Sequence, residues 1–168
     1  MKWYAISGSW RQTNDKVKTD VINIVKDIIT QGNGIITGGA LGVDYIATQT
    51  IIEFGDPKTQ LKLYLPIKLD SFCKHYRKRA DEGVITQEQA DLITFQLEKI
   101  AKVAPNSIFD EWSFINANVE SYYARNTKII EDCDELYAFQ VNNSEGTQDA
   151  INKAKEMNKK IYLKKYNI

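Results

Sequence analysis

The stretch TGGALGVD, from Thr37 to Asp44, joins an apolar run to an amphipathic run. Ile35 and Ile36 before it are typical of a buried strand, and the apolar spacing after it predicts a helix from near Gly42 to Phe54. The glycines of the stretch permit positive φ angles and let the backbone approach a ligand without an intervening Cβ. The stretch therefore predicts either an anion-binding turn between a strand and a helix, or a tight turn that needs glycine for its geometry alone.

Two further loops occupy the same kind of position. The residues GSWR, Gly8 to Arg11, follow a predicted strand over Trp3–Ser7. The residues NNSEGT, Asn142 to Thr147, follow a predicted strand over Leu136–Phe139 and open the last helix. Because the carboxyl ends of parallel strands lie side by side, we expect the three loops to converge on one crevice. Helix N-termini and bare backbone N–H groups favour an anion there, so the sequence predicts a site for a phosphorylated ligand.

The alternation of strands and helices along the chain predicts an α/β fold with a parallel sheet covered on both faces. We predict a Rossmann-like, doubly wound sheet of about five strands in the order 3-2-1-4-5, within one domain that spans residues 1–168. The order reverses between the first and fourth strands, which is where open α/β sheets bind ligands. The predicted strands are Trp3–Ser7, Ile35–Thr37, Leu61–Leu65, Leu136–Phe139 and Ile161–Leu163.

A predicted helical insert of about residues 70–116 interrupts this alternation after the third strand. Polar, helical sequence extends from Asp70 to about Ala104, and Thr86–Gln89 fits a capping box at the start of the second helix of the insert. We expect this helical hairpin to act as a partial lid over the crevice or as a dimer contact.

The charge composition is balanced, with 22 basic and 22 acidic residues. Nucleic-acid-binding domains usually carry a basic excess, so the balance favours a small ligand over a nucleic acid. No apolar run approaches the roughly 18 residues of a membrane span, and the N-terminal residues lack the apolar core of a signal peptide. We therefore expect a cytoplasmic protein without a membrane partner.

Cysteine and histidine are scarce in the chain. Cys73 and Cys133 are widely spaced and provide no disulfide framework, which agrees with a reducing compartment. His75 together with the two cysteines gives too few ligands for a zinc site. The sequence predicts neither a metal nor a cofactor.

Arg11 and Arg125 are the cations best placed to bind a phosphate in the crevice, because arginine offers bidentate hydrogen bonds. A surface salt bridge is the alternative for each. Asp44 either complements the helix dipole or binds a ribose hydroxyl, and Ser144 and Thr147 either cap the last helix or bind the phosphate. The predicted ligand-binding residues are Gly8, Ser9, Arg11, Gly38, Gly39, Ala40, Leu41, Gly42, Asp44, Arg125, Asn126, Ser144, Gly146 and Thr147.

Four motifs in this order resemble the SLOG superfamily. They are GSWR, TGGALGVD, YARN at Tyr123–Asn126 and SEGT at Ser144–Thr147, and the resemblance covers the chain outside the insert. That superfamily unites the Rossmann-like domain of DNA-processing protein A with the Lonely Guy phosphoribohydrolases. The resemblance implies a stand-alone Rossmannoid domain that forms a homodimer and has a pocket for a nucleotide or a nucleotide-derived ligand.

The motifs resemble two branches of the superfamily in different ways. TGGALGVD looks closer to the DNA-processing branch, whose pattern reads SGxAxGID, and Arg125 with Asn126 resembles the arginine–asparagine pair of that branch. Arg125 also falls where the Lonely Guy branch has its catalytic helix arginine. Ala150 stands where the PGGxGTxxE motif of that branch has its glutamate, and Asp149 lies one residue away, about 100° around a helix.

The first function that we predict is binding of a nucleotide-like phosphorylated small molecule. Gly39→Asp is expected to abolish this binding by placing a negative side chain where the phosphate belongs. The alternative is hydrolysis of an N-glycosidic bond in a nucleotide. In that case Arg125 stabilises the phosphate or the leaving group, and Glu120, Glu145 or Asp149 assists water.

A third function, single-stranded DNA binding as in DNA-processing protein A, depends on the basic cluster Lys74–Arg79 together with Arg11. Tyr76 within the cluster is available for stacking on a base. The same cluster is also typical of a solvated helix face, so both interpretations of it stay open.

Overall fold

Strands and helices alternate in the computed structural model, which describes residues 1–111 and 113–168. The strands are Trp3–Gly8 (β1), Gly34–Thr37 (β2), Leu61–Tyr64 (β3), Ile108–Phe109 (β4), Glu135–Val141 (β5) and Lys160–Tyr166 (β6). The helices are Asp15–Thr30 (α1), Val43–Phe54 (α2), the short Pro57–Gln60 (α3), Leu69–Asp81 (α4), Gln87–Val103 (α5), Val119–Asp132 (α6) and Glu145–Glu156 (α7). None of the described helices combines the length and the apolar composition of a membrane span.

All the described strands are parallel and belong to one sheet, whose order is β4-β3-β2-β1-β5-β6. The predicted α/β fold is confirmed, and so is the predicted order, with β5 and β6 in the fourth and fifth places. The predicted number of strands is too low, because β4 lies within the insert that we expected to be helical. Its two residues pair with Leu63 and Tyr64, and so short a run gives no periodic signal in a sequence.

The two faces of the sheet bury separate apolar clusters. Ile35 belongs to a cluster with apolar residues of α1, α2 and α5, whereas its neighbour Ile36 belongs to a cluster with residues of α6 and α7. Successive side chains of a strand point to opposite faces, so covering both faces buries every residue of β2. The chain order reverses between β1 and β5, and the carboxyl ends of these strands open a crevice there.

The helical hairpin of the insert is a fixed part of the core. Helices α4 and α5 pack against each other, and Phe72 and Tyr76 of α4 are buried in the same cluster as Ile93 of α5. Thr86 begins α5 with the predicted capping box, in which its side chain accepts from the backbone of the first helical turn. Trp112 falls within the predicted insert but lies outside the described residues.

Tyr166, at the end of β6, joins the last strand to α1. Its hydroxyl donates a hydrogen bond to Asp20 Oδ2 at 2.7 Å, and this bond, supported by Lys164, lowers the pKa of Asp20. We expect Tyr166→Phe to lower the free energy of unfolding by about 1 kcal/mol at neutral pH, where Asp20 is ionised.

The effect of Tyr166→Phe is expected to depend on pH in a defined direction. A depressed carboxyl pKa contributes stability that is complete above the unfolded value and is lost as the pH falls through the folded value. The difference between variant and wild type should therefore shrink as the pH falls below about 4. Chemical denaturation at neutral and acidic pH measures this difference, and a value that does not change with pH would contradict the assignment.

Candidate functional site

A crevice of about 590 Å³ opens at the carboxyl ends of β1, β2 and β5. A cavity of this size suits a small organic ligand. The loops that we expected to converge meet here: Gly8–Gln12 after β1, Gly38 and Ala40 after β2, and Asn142 with Ser144–Gly146 after β5. Three segments that are distant in sequence thus line one crevice at the point where the strand order reverses.

The structure separates the predicted site residues into two groups. Those that line the crevice are Gly8, Ser9, Arg11, Gly38, Ala40, Asp44, Arg125, Asn126, Ser144, Glu145 and Gly146. Those that do not line it are Gly39, Leu41, Gly42, Thr147, Glu120 and Asp149. The second group includes two of the carboxylates that were candidates for catalysis.

Arg125 of α6 reaches the loop after β2. Its Nη1 donates a hydrogen bond to Gly38 O and lies 4.0 Å from Asp44 Oδ2, and the guanidinium carbon is 5.4 Å from the centroid of the Tyr122 ring. The residue is only 8% exposed, and within residues 1–111 and 113–168 its Nε has no hydrogen-bond partner. A buried donor without an acceptor is costly in a folded protein. Arg125 is therefore part of a buried ion pair, rather than a surface salt bridge, and has one donor left unsatisfied beside the crevice.

Asp44 holds the loop after β2 in its conformation. Its Oδ2 accepts hydrogen bonds from the backbone N–H groups of Gly38 at 3.2 Å and Ala40 at 3.3 Å. Burial raises the pKa of the Asp44 carboxyl, while Arg125 and these N–H groups act in the opposite direction. The carboxylate thus occupies two of the loop amides that we expected a phosphate to contact.

The glycines of this loop are required by packing. Gly39 and Gly42 have positive φ angles of 64° and 71°. A Cβ on Gly39 would lie 2.5 Å from Leu65 Cδ2, in the apolar core, and one on Gly42 would overlap the backbone of the loop after β1. The Leu41 N–H donates a hydrogen bond to the Tyr76 hydroxyl at 3.2 Å. Of the two interpretations of this loop, these contacts support the tight turn that needs glycine for its geometry.

The first turn of α7 offers amides that the loop after β2 does not. The chain enters this helix through Asn142 and Asn143, which have positive φ angles of 47° and 55°. Ser144 makes no side-chain cap hydrogen bond, and a Cβ added to Gly146 would meet nothing within 4 Å. The first N–H groups of a helix have no intrahelical acceptor, and the helix dipole favours an anion beside them. This end of the crevice is therefore where the backbone is best prepared for a phosphate.

Asn126 and Asp149 connect α6 to α7. Asn126 Nδ2 donates to a carbonyl in the first turn of α7 at 3.3 Å and to Asp149 Oδ2 at 3.0 Å, and Lys153 Nζ lies 2.6 Å from the same carboxylate. Asp149 is thus held in an ion pair away from the crevice lining, and Glu120 is exposed and does not line it. Among the predicted catalytic carboxylates, Glu145 is the one that lines the crevice, so the hydrolase hypothesis depends on it.

The predicted residues for a small ligand omit α4, although we expected the insert to act as a partial lid or a dimer contact. His75, Tyr76 and Arg79 all line the crevice, and α4 is fixed to the core through Phe72, whose ring packs edge-on against Tyr76 with centroids 4.9 Å apart. The helix is therefore a wall of the crevice. Burial and then Arg79 lower the pKa of His75, which keeps its imidazole neutral at neutral pH. The spacing of His75 and Arg79, one helical turn apart within the basic cluster, is the signal that identifies this wall in the sequence.

The remaining members of the basic cluster Lys74–Arg79 are exposed and do not line the crevice. Arg77 Nη2 lies 3.3 Å from Glu98 Oε1, and Lys78 Nζ lies 3.8 Å from Glu82 Oε1. These partners balance much of the charge of the cluster. Its outward part is accordingly typical of a solvated helix face, whereas its inward part belongs to the crevice.

Comparison with known proteins finds neither a matching family model nor a matching curated protein. Solved structures do resemble the chain. DNA processing protein A from Helicobacter pylori, described for its single-stranded DNA binding mode, has a TM-score of 0.63 at 21% identity, over 95% of this chain and 63% of that one. The structural-genomics target TM1055 has a TM-score of 0.59 at 14% identity, over 96% and 72% of the two chains. DNA processing protein A from Streptococcus pneumoniae has a TM-score of 0.55 at 13% identity, over 96% and 58%.

These likenesses concern the fold. Identities of 21% or less show a shared architecture, and activity resides in sites that vary on a common fold. The chain also spans only 63% and 58% of the lengths of the two DNA processing proteins. At the level of the fold, the neighbours agree with the resemblance that the four sequence motifs carry. The chain therefore shares the Rossmann-like fold of these neighbours.

Proposed function

We propose that the crevice binds a nucleotide or a nucleotide-derived phosphorylated ligand. One observation carries the proposal: Arg125, whose buried Nε has no hydrogen-bond partner among the described residues, lines a crevice that also receives the first turn of α7. An anion at this place would accept from the guanidinium and from helix amides that otherwise lack acceptors. Phosphate has several oxygens and therefore accepts hydrogen bonds from both sources at once.

The charge at the crevice also supports an anionic ligand. Arg125 is balanced by Asp44. Arg11, at the rim, packs over Trp10 with its guanidinium carbon 4.7 Å from the ring centroid. Among the described residues, no carboxylate lies within ion-pair distance of Arg11. Arg11 is therefore the cation that is available to neutralise a ligand phosphate.

The aromatic lining suits a planar ring. Trp10, Tyr122 and Tyr123 line the crevice together with the polar loops. Stacking of a nucleobase on an aromatic side chain contributes about 1–3 kcal/mol. A ligand that contains both a phosphate and a base uses both kinds of surface, whereas inorganic phosphate uses only one.

Calorimetric titration and thermal unfolding with nucleoside 5′-monophosphates, nucleosides and inorganic phosphate test the proposal. At least one nucleotide is expected to bind and to raise the unfolding temperature, since a ligand that binds only the native state stabilises it. The nucleoside and inorganic phosphate are expected to bind more weakly than the nucleotide. Failure of every nucleotide to bind would contradict the proposal.

Arg11→Ala is expected to weaken binding of that nucleotide about tenfold, because a charge-assisted contact is lost. Arg11 is exposed, so the unfolding temperature without ligand is expected to stay the same. Lys18→Ala is the matched control, since it removes an exposed cation of α1 that does not line the crevice. Equal losses of affinity in the two variants would indicate a general effect of net charge rather than contact with Arg11.

Single-stranded DNA is the second candidate ligand, because the Helicobacter pylori neighbour, described by its single-stranded DNA binding mode, matches 95% of this chain. The charges support it less well. Arg77, Lys78 and Arg79 each lie near a glutamate, and neutralisation of phosphates supplies much of the affinity for a nucleic acid. An affinity for a single-stranded oligonucleotide that falls steeply with salt is the measurement that favours this candidate.

A further inference from the structure

Helix α4 gives the crevice a second cationic wall. Arg79 and His75 lie one helical turn apart on this helix and both line the crevice. Burial raises the pKa of the neighbouring Tyr122, and Arg125 and then Arg79 oppose that shift, so both arginines act on the same tyrosine. Tyr122 is thus an aromatic surface of the crevice, and Arg125 lies over its ring.

This cationic wall lies across the crevice from the first turn of α7. Helix α4 follows β3 and α7 follows β5, and β2 and β1 lie between these strands in the sheet. The two helices therefore enter the crevice from strands on opposite sides of β2 and β1, and groups that can bind an anion lie on two of its walls.

Arg79 is available to a ligand although it has a protein partner. Its Nη1 lies 2.8 Å from Glu82 Oε2, and both side chains are 38% exposed. Exposed ion pairs of this kind contribute little to stability, so a phosphate can displace the glutamate at little cost. Glu82 does not line the crevice. Its carboxylate is therefore not part of the surface that a bound ligand would contact.

We propose that the crevice takes a ligand whose sugar carries two phosphates as well as a planar base, and that Arg79 and His75 bind the second phosphate. This inference rests on the proposed function and names the ligand class, which is a nucleoside phosphorylated at two positions. Arg79 supplies the charge, and the neutral imidazole of His75 donates one N–H. A nucleoside monophosphate whose phosphate binds at α7 would leave Arg79 and His75 without a phosphate to bind.

Calorimetric titration with the four common nucleoside 5′-monophosphates and the corresponding 3′,5′-bisphosphates tests the inference. For the base that binds, the bisphosphate is expected to bind about tenfold more tightly than the monophosphate, which is the effect of one added charge-assisted contact. If none of these compounds binds, the proposed function fails and this inference fails with it. If a monophosphate binds and its bisphosphate binds no more tightly, this inference alone is overturned.

Three variants assign the gain in affinity to Arg79. Arg79→Ala is expected to remove the advantage of the bisphosphate over the monophosphate. Glu82→Gln releases Arg79 from its partner and is expected to increase the advantage. Lys74→Ala, which removes an exposed cation of the same helix outside the crevice lining, is the matched control and is expected to change neither affinity.

Thermal unfolding without ligand checks that each variant is folded. If Arg79→Ala loses the same affinity for the monophosphate and for the bisphosphate, the assignment of the second anionic group to α4 is overturned. A single-stranded decanucleotide that binds more tightly than every bisphosphate, and that also depends on Arg79, would overturn the small-ligand class in favour of consecutive phosphates of a strand.

Discussion

Arg125→Ala is expected to abolish nucleotide binding and to lower the free energy of unfolding by about 3 kcal/mol. Arg125 lines the crevice and has a donor without a partner among the described residues, so its removal takes away the contact on which the proposed function depends. Its loss also leaves the buried Asp44 carboxyl without a cation and Gly38 O without its donor. Calorimetric titration measures the first effect and urea denaturation measures the second.

A second substitution separates these two effects. Asp44→Asn in the Arg125→Ala background removes the buried charge, while the asparagine oxygen still accepts from the N–H groups of Gly38 and Ala40. We expect the double variant to regain most of the lost stability and none of the lost binding. Recovery of nucleotide binding in the double variant would show that Arg125 does not contact the ligand.

Gly39→Asp is expected to prevent folding. Gly39 has a φ angle of 64°, and a Cβ there would lie 2.5 Å from Leu65 Cδ2 and 3.3 Å from Leu97 Cδ2. An aspartate would combine a strained backbone, a clash and a carboxylate buried among leucines, at a cost of about 4 kcal/mol or more. The sequence alone predicts a local loss of phosphate binding, whereas the structure places the side chain in the core.

Two glycine variants serve as controls for this expectation. Gly39→Ala retains the clash and the backbone strain without the charge, so we expect it to fold with clearly reduced stability. Gly146→Ala adds a Cβ in open space at the start of α7, so we expect a stability close to that of the wild type. Circular dichroism and thermal unfolding compare the three variants, and a folded Gly39→Asp protein that merely fails to bind nucleotide would contradict this view.

The fold could be predicted because its signals are local and repeated. The apolar stripe Val17, Val21, Val25 on α1 is buried as the helical spacing predicts, and the core strand β2 is a fully buried run between turn signals. The strand β4 could not be predicted in this way, because its two residues acquire strand geometry only by pairing with Leu63 and Tyr64.

The position of the crevice could be predicted, but the roles of its residues could not. Loop convergence follows from the topology of a parallel sheet. The loop after β2, in contrast, depends on contacts with residues distant in sequence: Leu41 donates to Tyr76, and Arg125 donates to Gly38. Glycines required by such packing have the same sequence pattern as glycines that approach a phosphate. The predicted residues for a small ligand did not include His75 and Arg79, because a basic run is usually a solvated helix face.

The hydrogen bonds of the loop after β2 also bear on how a ligand binds. Asp44 and Tyr76 already take up three of its amides, and Arg125 takes up the Gly38 carbonyl. This side of the crevice is therefore preorganised, and association need not bear the entropic cost of ordering a flexible segment. Diffusional encounter, rather than rearrangement of this loop, then limits how fast a ligand enters.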